Sequence, residues 1–344
     1  MRALLSSFLC AMALVIGGAG CRQNNAPRTL FQLNWLHDPT FAGEYSLALD
    51  STLGLSIREG GPNIFPVAEV LAGRANLGVV GADIFLQALD KDLQAGKQSN
   101  LRCVFVDFQR NPVGWVLHPD AAAKAGLEST NNLTPAELNQ WLFSKFADGT
   151  LKPGDKRGTE TTAIWIKWKK MHALSEDVKV VPVGFDASIV LSAPMITFPV
   201  YLNEEPFKLT EKIGRPVLVF DPAVDEVVLY GNVVITSKEF FDKNPSVVRA
   251  VQRGLRKAWT DVKLDLDGAV ARVAAVYKGV GPEVLRRQID KTLEFVFFET
   301  QTPGVMEMGE SGRWAKTVEG LKDAGILSSG FGLKTCIASL VPLE

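Results

Sequence analysis

Histidine and cysteine are scarce in this sequence, which has three histidines and four cysteines among its 344 residues. No pair of these residues has the spacing of a metal-binding motif, so we expect no metal site. We also expect no bound cofactor. Cys10 and Cys21 lie in the N-terminal stretch, which leaves Cys103 and Cys336 for the rest of the chain. A disulfide between these two suits an oxidising compartment, and the sequence is equally compatible with two free thiols.

An excess of charge of either sign is also missing. The chain has 37 basic and 38 acidic side chains, a formal net charge of -1, and no basic cluster or acidic tail. This balance argues against a nucleic acid as the partner. With 47% hydrophobic and 22% charged residues the composition is that of an ordinary globular protein. The length favours two domains over a single core.

Long hydrophobic runs are confined to the N-terminus, where residues 3–16 are almost entirely apolar. Residues 1–20 therefore predict a secretory signal peptide. Cys21 follows three small residues, a pattern that resembles the lipobox of bacterial lipoproteins, although Gly18 stands where leucine is usual. The resemblance implies a lipid on Cys21, a tether over residues 21–28, and anchoring in the periplasm or at the outer face of the cell membrane. Cleavage without lipidation is the alternative.

Hydrophobic periodicity divides the rest of the chain into two α/β units. Residues 29–110 alternate short apolar strands with helices, a β-α-β-α-β order that predicts a parallel sheet covered by helices. Residues 111–231 form a second unit of the same α/β class. Its strands are expected at residues 113–118, 178–183, 195–200 and 216–220.

The chain then returns to its first unit. A strand is expected at residues 232–236, and everything after it is helical, so residues 232–344 belong with residues 29–110. The two crossings are expected near residues 109–112 and 228–232. Two lobes joined by a two-segment hinge form a cleft that can close on a ligand.

The first candidate binding residues follow the first strand. Trp35, His37, Asp38 and Tyr45 come within eleven residues. Ligands of open α/β sheets bind beyond the carboxyl ends of strands, so these side chains predict one wall of a pocket, with the indole stacked on a planar ligand. The structural alternative makes the two large aromatic residues part of the core, with His37 and Asp38 as turn residues before Pro39.

Four further candidates lie at later turns. Asn63 and Asp83 each follow a predicted strand and present polar groups at its end. Thr159 and Glu160 open a predicted helix, where free backbone N–H groups favour an anion, although the carboxylate of Glu160 opposes one. The alternative for Asp83 is a purely structural role at a helix N-terminus.

Tyr201, Asn203 and Glu204 are the candidates for the opposite wall, and Tyr230 lies at the return crossing. A carboxylate and an amide at the start of a helix suit the donor–acceptor edge of an amino-heterocycle. A solvated helix face is the alternative for the first three, and a hinge role is the alternative for Tyr230. No Ser/His/Asp order or glycine-rich phosphate loop is present, so we expect no enzymatic activity.

Several short stretches spread over the chain resemble the solute-binding proteins of ABC importers, in the branch that handles nitrate, sulfonates and thiamine-pyrimidine precursors. These stretches are Leu33-Asn-Trp35, Phe41-Ala-Gly43, Gly60-Gly-Pro62, Ala75-Asn-Leu-Gly-Val-Val-Gly-Ala-Asp83, Asn111-Pro-Val-Gly-Trp115-Val-Leu-His118-Pro119, Gly158-Thr-Glu-Thr161, Val200-Tyr-Leu-Asn-Glu204-Glu-Pro206, Glu239-Phe-Phe-Asp-Lys-Asn-Pro245, Ala258-Trp259 and Lys322-Asp-Ala-Gly-Ile-Leu327. The resemblance implies a two-lobed periplasmic-binding-protein fold with a helical C-terminal part. It also implies a monomer that binds a small molecule and docks on permease and ATPase subunits.

The ligand is less clearly indicated. The acids near the expected cleft, Asp38, Asp83 and Glu204, outnumber the bases, of which Arg110 is the best candidate. This favours a neutral or cationic planar nitrogen heterocycle, similar to a thiamine-pyrimidine precursor, over a sulfonate, taurine or nitrate. Phe41 departs from the histidine that is frequent in pyrimidine-precursor binders.

A pyrimidine-precursor synthase with the same fold is the third alternative. Its motif has a lysine and, four positions later, a histidine, where this chain has Val80 and Ile84. It also has a cysteine cluster in the segment matching residues 227–231, where this chain has no cysteine. These differences argue against the enzyme.

Overall fold

Ten β-strands and fourteen α-helices form the described chain, which covers residues 29–157 and 159–343 of the computed structural model. The strands are β1 (Thr29–Gln32), β2 (Leu55–Arg58), β3 (Leu77–Gly81), β4 (Leu101–Val106), β5 (Val113–Leu117), β6 (Lys152–Asp155), β7 (Val181–Pro182), β8 (Ile196–Tyr201), β9 (Leu218–Phe220) and β10 (Asn232–Ser237). The helices are α1 (Ala42–Ala48), α2 (Pro66–Leu71), α3 (Ala82–Gln94), α4 (Pro119–Lys124), α5 (Pro135–Ala147), α6 (Glu160–Met171), α7 (Ile189–Ser192), α8 (Glu205–Ile213), α9 (Lys238–Lys243), α10 (Pro245–Leu264), α11 (Leu266–Val276), α12 (Pro282–Val296), α13 (Arg313–Asp323) and α14 (Leu333–Ile337). The expected signal peptide, the tether and Cys21 lie outside the described residues.

The first sheet has the strand order β2-β1-β3-β10-β4. Strand β1 runs parallel to β2 and β3, whereas β10 is antiparallel to both of its neighbours, β3 and β4. The return strand therefore inserts into the middle of the first sheet. Its register pairs Asn232 with Gly81, the last residue of β3. Asn232 consequently lies at the sheet edge where β3 leads into α3.

The second sheet has the strand order β7-β6-β8-β5-β9. Strand β6 is parallel to β7 and β8, and β5 is antiparallel to β8 and β9. We use "first lobe" for the first sheet with α1–α3 and α9–α14, and "second lobe" for the second sheet with α4–α8. Both sheets are mixed and flanked by helices, so the predicted α/β class is confirmed.

Buried apolar side chains form two layers, because successive residues of a strand point to opposite faces of a sheet. In β10, Val233 belongs to one layer and Val234 to the other. In β5, Trp115 and Val116 divide in the same way. Each layer includes residues of both lobes, so the lobes pack on each other through apolar side chains.

Two chain segments cross between the lobes side by side. The backbone N–H of Asn111 donates to the carbonyl of Leu229 at 2.7 Å, and that of Gly231 donates to the carbonyl of Phe108 at 3.1 Å. A Cβ atom at Gly231 would lie 2.9 Å from the Cβ of Phe108, so glycine permits this close approach. Paired crossings of this kind are the geometry of a hinge.

The structure corrects several element boundaries. Strand β6 is not predicted from the sequence. Its residues are Lys-Pro-Gly-Asp, and proline, glycine and aspartate are depleted from strands. The strand expected at residues 178–183 is reduced to the two residues of β7. The sequence also predicts a helix from about Tyr201 to Ile213. This helix begins only at Glu205, because Tyr201 is still paired in β8. The short helices α4, α7 and α14 also escape the sequence pattern.

Cys103 in β4 and Cys336 in α14 are both buried and free. Burial raises the pKa of both thiols. Of the two alternatives that the sequence leaves open, a disulfide or two free thiols, the structure has two free thiols in the core. Among residues 29–157 and 159–343, no three histidine, cysteine or acidic side chains are grouped as metal ligands would be. No helix within those ranges combines the length and apolar character that crossing a membrane requires.

Candidate functional site

A cavity of about 410 Å³ lies between the two lobes. Its first-lobe wall comes from the turn after β1 and from the start of β10, and consists of Asn34, Trp35, Asp38, Thr40, Phe41 and Asn232. Its second-lobe wall comes from the start of α6, the loop of residues 185–188, the end of β8 and the helix α8. The volume is within the range of small-molecule pockets.

The turn after β1 is held in place by Asp38. Its carboxylate caps the short 3-10 helix Pro39–Phe41 by accepting a hydrogen bond from the backbone N–H of Thr40, at 2.7 Å. Asp38 is only 3% exposed although it lines the cavity. Burial, followed by the charge of Glu204 across the cavity, raises the pKa of this carboxyl group well above its ordinary value.

The second-lobe wall is built around Tyr201 at the end of β8. Its hydroxyl donates to Oε1 of Glu160 at 2.7 Å, and its backbone N–H donates to Oε2 of Glu205 at 2.8 Å. Thr159 caps α6 by accepting a hydrogen bond from the N–H of Thr161 at 3.3 Å. The start of α6 therefore presents the Glu160 carboxylate to the cavity, which disfavours an anion there.

Three lysines line the cavity, and each lies near a carboxylate. Lys156 lies 3.8 Å from Glu205, and Lys208 forms an ion pair with Glu204, which lies four residues earlier at the N-terminus of α8. Lys212 contributes, after the hydrogen bonds from Ser188, to lowering the pKa of Asp186. With Asp38 and Glu160, the cavity has five carboxylates and three lysines.

Arg110, the base expected near the ligand, is not in the cavity wall. Its guanidinium makes a two-point ion pair with Asp221, at 2.8 and 2.9 Å, and lies over the rings of Phe295 and Phe298. This contact ties the first crossing segment to the second lobe. The prediction that Arg110 is a basic residue of the cleft is therefore wrong. The basic residues that line the cavity are Lys156, Lys208 and Lys212.

Aromatic rings from the two lobes meet at the cavity. The ring of Trp35 lies 5.9 Å from that of Phe185, at an interplanar angle of 41°. Phe185 is 59% exposed, so it forms part of the cavity rim. The ammonium group of Lys156 lies 5.7 Å from the Phe185 ring centroid and 5.1 Å from that of Phe198. The wall thus offers flat apolar surfaces on which a planar ligand can stack.

Six of the twelve sequence-predicted binding residues line this cavity: Trp35, Asp38, Thr159, Glu160, Tyr201 and Glu204. Two more stand directly behind the wall. The Tyr45 hydroxyl lies 3.0 Å from Nδ1 of His37 and accepts from the N–H of Asp38 at 3.3 Å. His37 and Tyr45 therefore support the turn that carries Asp38.

The remaining four lie elsewhere. Asn63 is exposed in the turn before α2, and Asp83 is buried in the first turn of α3. Asn203 is fully buried between the lobes, where its amide donates to the hydroxyls of Thr40 and Thr292. Tyr230 packs on Trp314 in the first lobe.

Several residues that line the cavity are not predicted from the sequence. Lys208 follows Glu204 by four residues on a helix, and this spacing is a usable signal. Lys156 and Phe185 carry no such signal, because only the folding of the second lobe brings them to the cavity. The carboxamides of Asn34 and Asn232 line the cavity, and their Oδ1 atoms accept no hydrogen bond from the protein.

Comparison with known structures identifies the architecture. A Candida albicans protein, described as having the generic periplasmic binding protein structural fold, superposes with a TM-score of 0.59 at 10% identity, over 92% of this chain and 97% of that chain. The chain has the periplasmic binding protein fold. This confirms the fold that the sequence resemblance implies.

Two other solved structures are similar to the chain. The periplasmic aliphatic sulphonate binding protein of Escherichia coli matches with a TM-score of 0.60 and 12% identity, over 92% of this chain and 93% of that chain. The ligand-binding component of an ABC-type import system from Staphylococcus aureus, with zinc bound, matches with a TM-score of 0.58 and 12% identity, over 92% and 97%. At these identities the likeness concerns the fold.

An enzyme shares the same architecture. A desulfurization enzyme matches with a TM-score of 0.53 and 14% identity, over 89% of this chain and 95% of that chain. In sequence, residues 157–265 match the family model described as NMT1/THI5 like. No curated protein matches the chain in sequence.

Proposed function

We propose that the chain is an extracytoplasmic solute-binding receptor of an ABC importer. The observation that carries this proposal is the cavity between two lobes, lined from both sides and placed beside two paired crossing segments. Such a site can trap one small molecule by lobe closure. Residues 29–110 with 232–344, and residues 111–231, are the proposed moving bodies, and membrane-bound permease and ATPase subunits are the proposed partners of a monomer.

The proposed ligand is a small planar nitrogen heterocycle, similar to a thiamine-pyrimidine precursor. Trp35 and Phe185 supply stacking surfaces, and the carboxylates of Glu160 and Glu204 supply acceptors for ring and amino N–H groups. The match of residues 157–265 to the NMT1/THI5 like model supports this choice, because that segment contains the second-lobe residues Glu160, Tyr201 and Glu204.

A sulfonate such as taurine, or nitrate, is the second candidate. The three lysines of the cavity and the likeness to the Escherichia coli sulphonate binding protein favour it. The carboxylate of Glu160 argues against it, because it occupies the helix start where a sulfonate would need N–H donors.

A thermal-shift screen tests the proposed function. Pyrimidine precursors, flavin-like compounds, taurine, alkanesulfonates and nitrate are compared, and a ligand at about a hundred times its Kd stabilises the folded protein by about 2.7 kcal/mol. We expect pyrimidines to raise Tm. Trp35→Ala should remove the shift, whereas Leu264→Ala, at a residue that is 80% exposed and does not line the cavity, should keep it. If only sulfonates stabilise the protein, the proposed heterocyclic ligand is refuted, whereas the proposed receptor function is retained.

We propose a binding role rather than catalysis for this chain. Val80 is buried in β3 and Ile84 lies on α3, at the positions where the synthase relatives have lysine and histidine. Neither side chain can form an imine with pyridoxal phosphate or donate a ring nitrogen. The absorbance spectrum after incubation with pyridoxal phosphate is the check, since a protein-linked visible band would support the enzyme instead.

A lipid on Cys21 is the proposed membrane attachment. The support is the small-residue pattern before Cys21, which lies outside the described residues. We expect the expressed full-length chain to fractionate with membranes. The Cys21→Ser variant should either be released from the membranes or be retained as a longer, uncleaved precursor. Equal release of both proteins from washed membranes would favour simple signal cleavage.

A further inference from the structure

The charges that line the cavity are only partly balanced. Lys156, Lys208 and Lys212 each accompany one carboxylate of the second lobe. Asp38 of the first lobe and Glu160 of the second form no ion pair among the described residues. Lys208 also lowers the pKa of Asp38, but burial and the charge of Glu204 outweigh it. The cavity therefore has two more carboxylates than lysines, and each lobe contributes a carboxylate that no ion pair holds.

Unpartnered acceptor oxygens lie in the same wall. Oδ1 of Asn34, four residues before Asp38, and Oδ1 of Asn232 are buried and accept no hydrogen bond from the protein. Asn232 itself is only 2% exposed. Buried polar atoms are normally hydrogen-bonded, so these two oxygens are acceptors that a ligand N–H group can satisfy when the wall rearranges around it. They are independent of the charge count, and they favour a ligand that donates N–H groups.

A further carboxyl group, that of Asp83, is close enough to Glu160 for the two to disfavour each other's negative charge. Asp83 follows Gly81 by two residues, and Gly81 pairs with Asn232 in the first sheet. Burial, and then the charge of Glu160, raise the pKa of Asp83, whose Oδ1 is also without a partner. Carboxyl groups of opposite lobes thus face one another at this end.

We infer that the ligand is a cation, and that Glu160 and Asp38 balance its protonated nitrogen from the two lobes. This inference rests on the proposed function and deepens it, because a neutral heterocycle would suit a solute receptor equally well. A cation between carboxylates of opposite lobes attracts both, so recognition of its charge also favours closure. An anion in the same place would be repelled by both.

A matched pair of probes tests the inference. The two are 4-amino-5-(aminomethyl)-2-methylpyrimidine, a cation at about pH 8, and its hydroxymethyl counterpart, which is largely neutral there. Isothermal titration calorimetry should show at least about tenfold tighter binding of the aminomethyl compound. Glu160→Gln should reduce this difference to about threefold or less, because the isosteric amide keeps an acceptor for Tyr201 and removes one of the two balancing charges.

Glu211→Gln is the matched control, since Glu211 is an exposed carboxylate on α8 outside the cavity wall. It should leave the preference unchanged. If Glu160→Gln does not fold, judged by circular dichroism, Asp38→Asn replaces it, because asparagine also caps helices.

The outcomes separate the two proposals. Equal affinity for both probes, or no binding of the aminomethyl compound up to about 1 mM, overturns the cation inference. Equal affinity leaves the proposed receptor function and the proposed heterocyclic ligand standing. If taurine binds and neither pyrimidine binds, both the heterocyclic ligand and its positive charge are refuted.

Discussion

At the scale of single residues, the least expected feature is a pair of buried carboxyl groups behind the first-lobe wall. Glu44 in α1 and Asp107 after β4 are 2% and 1% exposed, and the indole N–H of Trp259 donates to Oδ1 of Asp107 at 3.1 Å. Burial raises the pKa of both carboxyl groups, to about 7 for Asp107. The charge of Asp107 raises the pKa of Glu44 further.

This pair predicts how stability depends on pH. In the unfolded chain an aspartate titrates near pH 4, so between about pH 4 and pH 7 the folded protein binds more protons than the unfolded chain. Stability contributed by Asp107 is therefore greatest at low pH and is lost as pH rises through 7. Asp107→Asn keeps an acceptor for Trp259 and should lose less stability between about pH 5 and pH 8.

Urea denaturation across that pH range measures the effect. Glu128→Gln, at an exposed carboxylate, is the control and should follow the unsubstituted protein. Parallel curves for Asp107→Asn and the unsubstituted protein would show that Asp107 does not titrate as proposed.

At the scale of secondary structure, the clearest difference from expectation is β6. Its Gly154 leaves room for a neighbouring strand, since a Cβ there would lie 2.3 Å from the carbonyl oxygen of Thr197 in β8. The carbonyl of Gly154 also accepts a hydrogen bond from the indole of Trp115 at 2.8 Å. The strand therefore exists because its neighbours pair with it, and not because its own residues favour extended structure.

Gly154→Ala should be destabilising for this reason. The added methyl meets backbone, which cannot rotate away, and overpacking of this kind costs about 1–3 kcal/mol. Gly184→Ala is the matched control, because a Cβ at Gly184 has nothing within 4 Å. Denaturant unfolding should give a change within about 0.5 kcal/mol for the control. A Gly154→Ala protein as stable as the control would mean that β6 moves freely away from β8.

At the scale of the whole molecule, Asn203 links the lobes behind the cavity. Its amide donates to Thr40 Oγ1 at 3.2 Å and to Thr292 Oγ1 at 2.9 Å, and both hydroxyls belong to the first lobe. Thr40 is next to the Asp38 turn, and Glu204 follows Asn203 directly. The contact therefore holds the two walls of the cavity at a set distance.

Asn203→Ala should shift the ligand-free protein towards a more open arrangement. Each lost hydrogen bond contributes about 0.5–1.5 kcal/mol, enough to change an open-to-closed ratio by about tenfold or more for the two bonds together. Small-angle X-ray scattering should show a larger radius of gyration. Asn139→Ala is the control, since Asn139 is equally buried and bonds only within the second lobe, to Asp221 and Asp225. Identical scattering from both variants would exclude a latch at Asn203.

Much of the architecture follows from the sequence by itself. The α/β class, two sheets, the return strand and the long helix α10 are predicted from local periodicity and capping, which act over a few residues. The wall containing Trp35 and Asp38 is predicted because it lies within one short turn.

Tertiary structure alone decides what stands opposite that wall. Lys156 and Phe185 reach the cavity only when β6, β8 and the loop of residues 185–188 assemble, and no local pattern encodes that meeting. Arg110 is drawn away from the cleft by Asp221, more than a hundred residues later in the chain. Charge balance in a cavity depends on such long-range pairings, because Coulomb interactions follow distance in space and not separation along the chain.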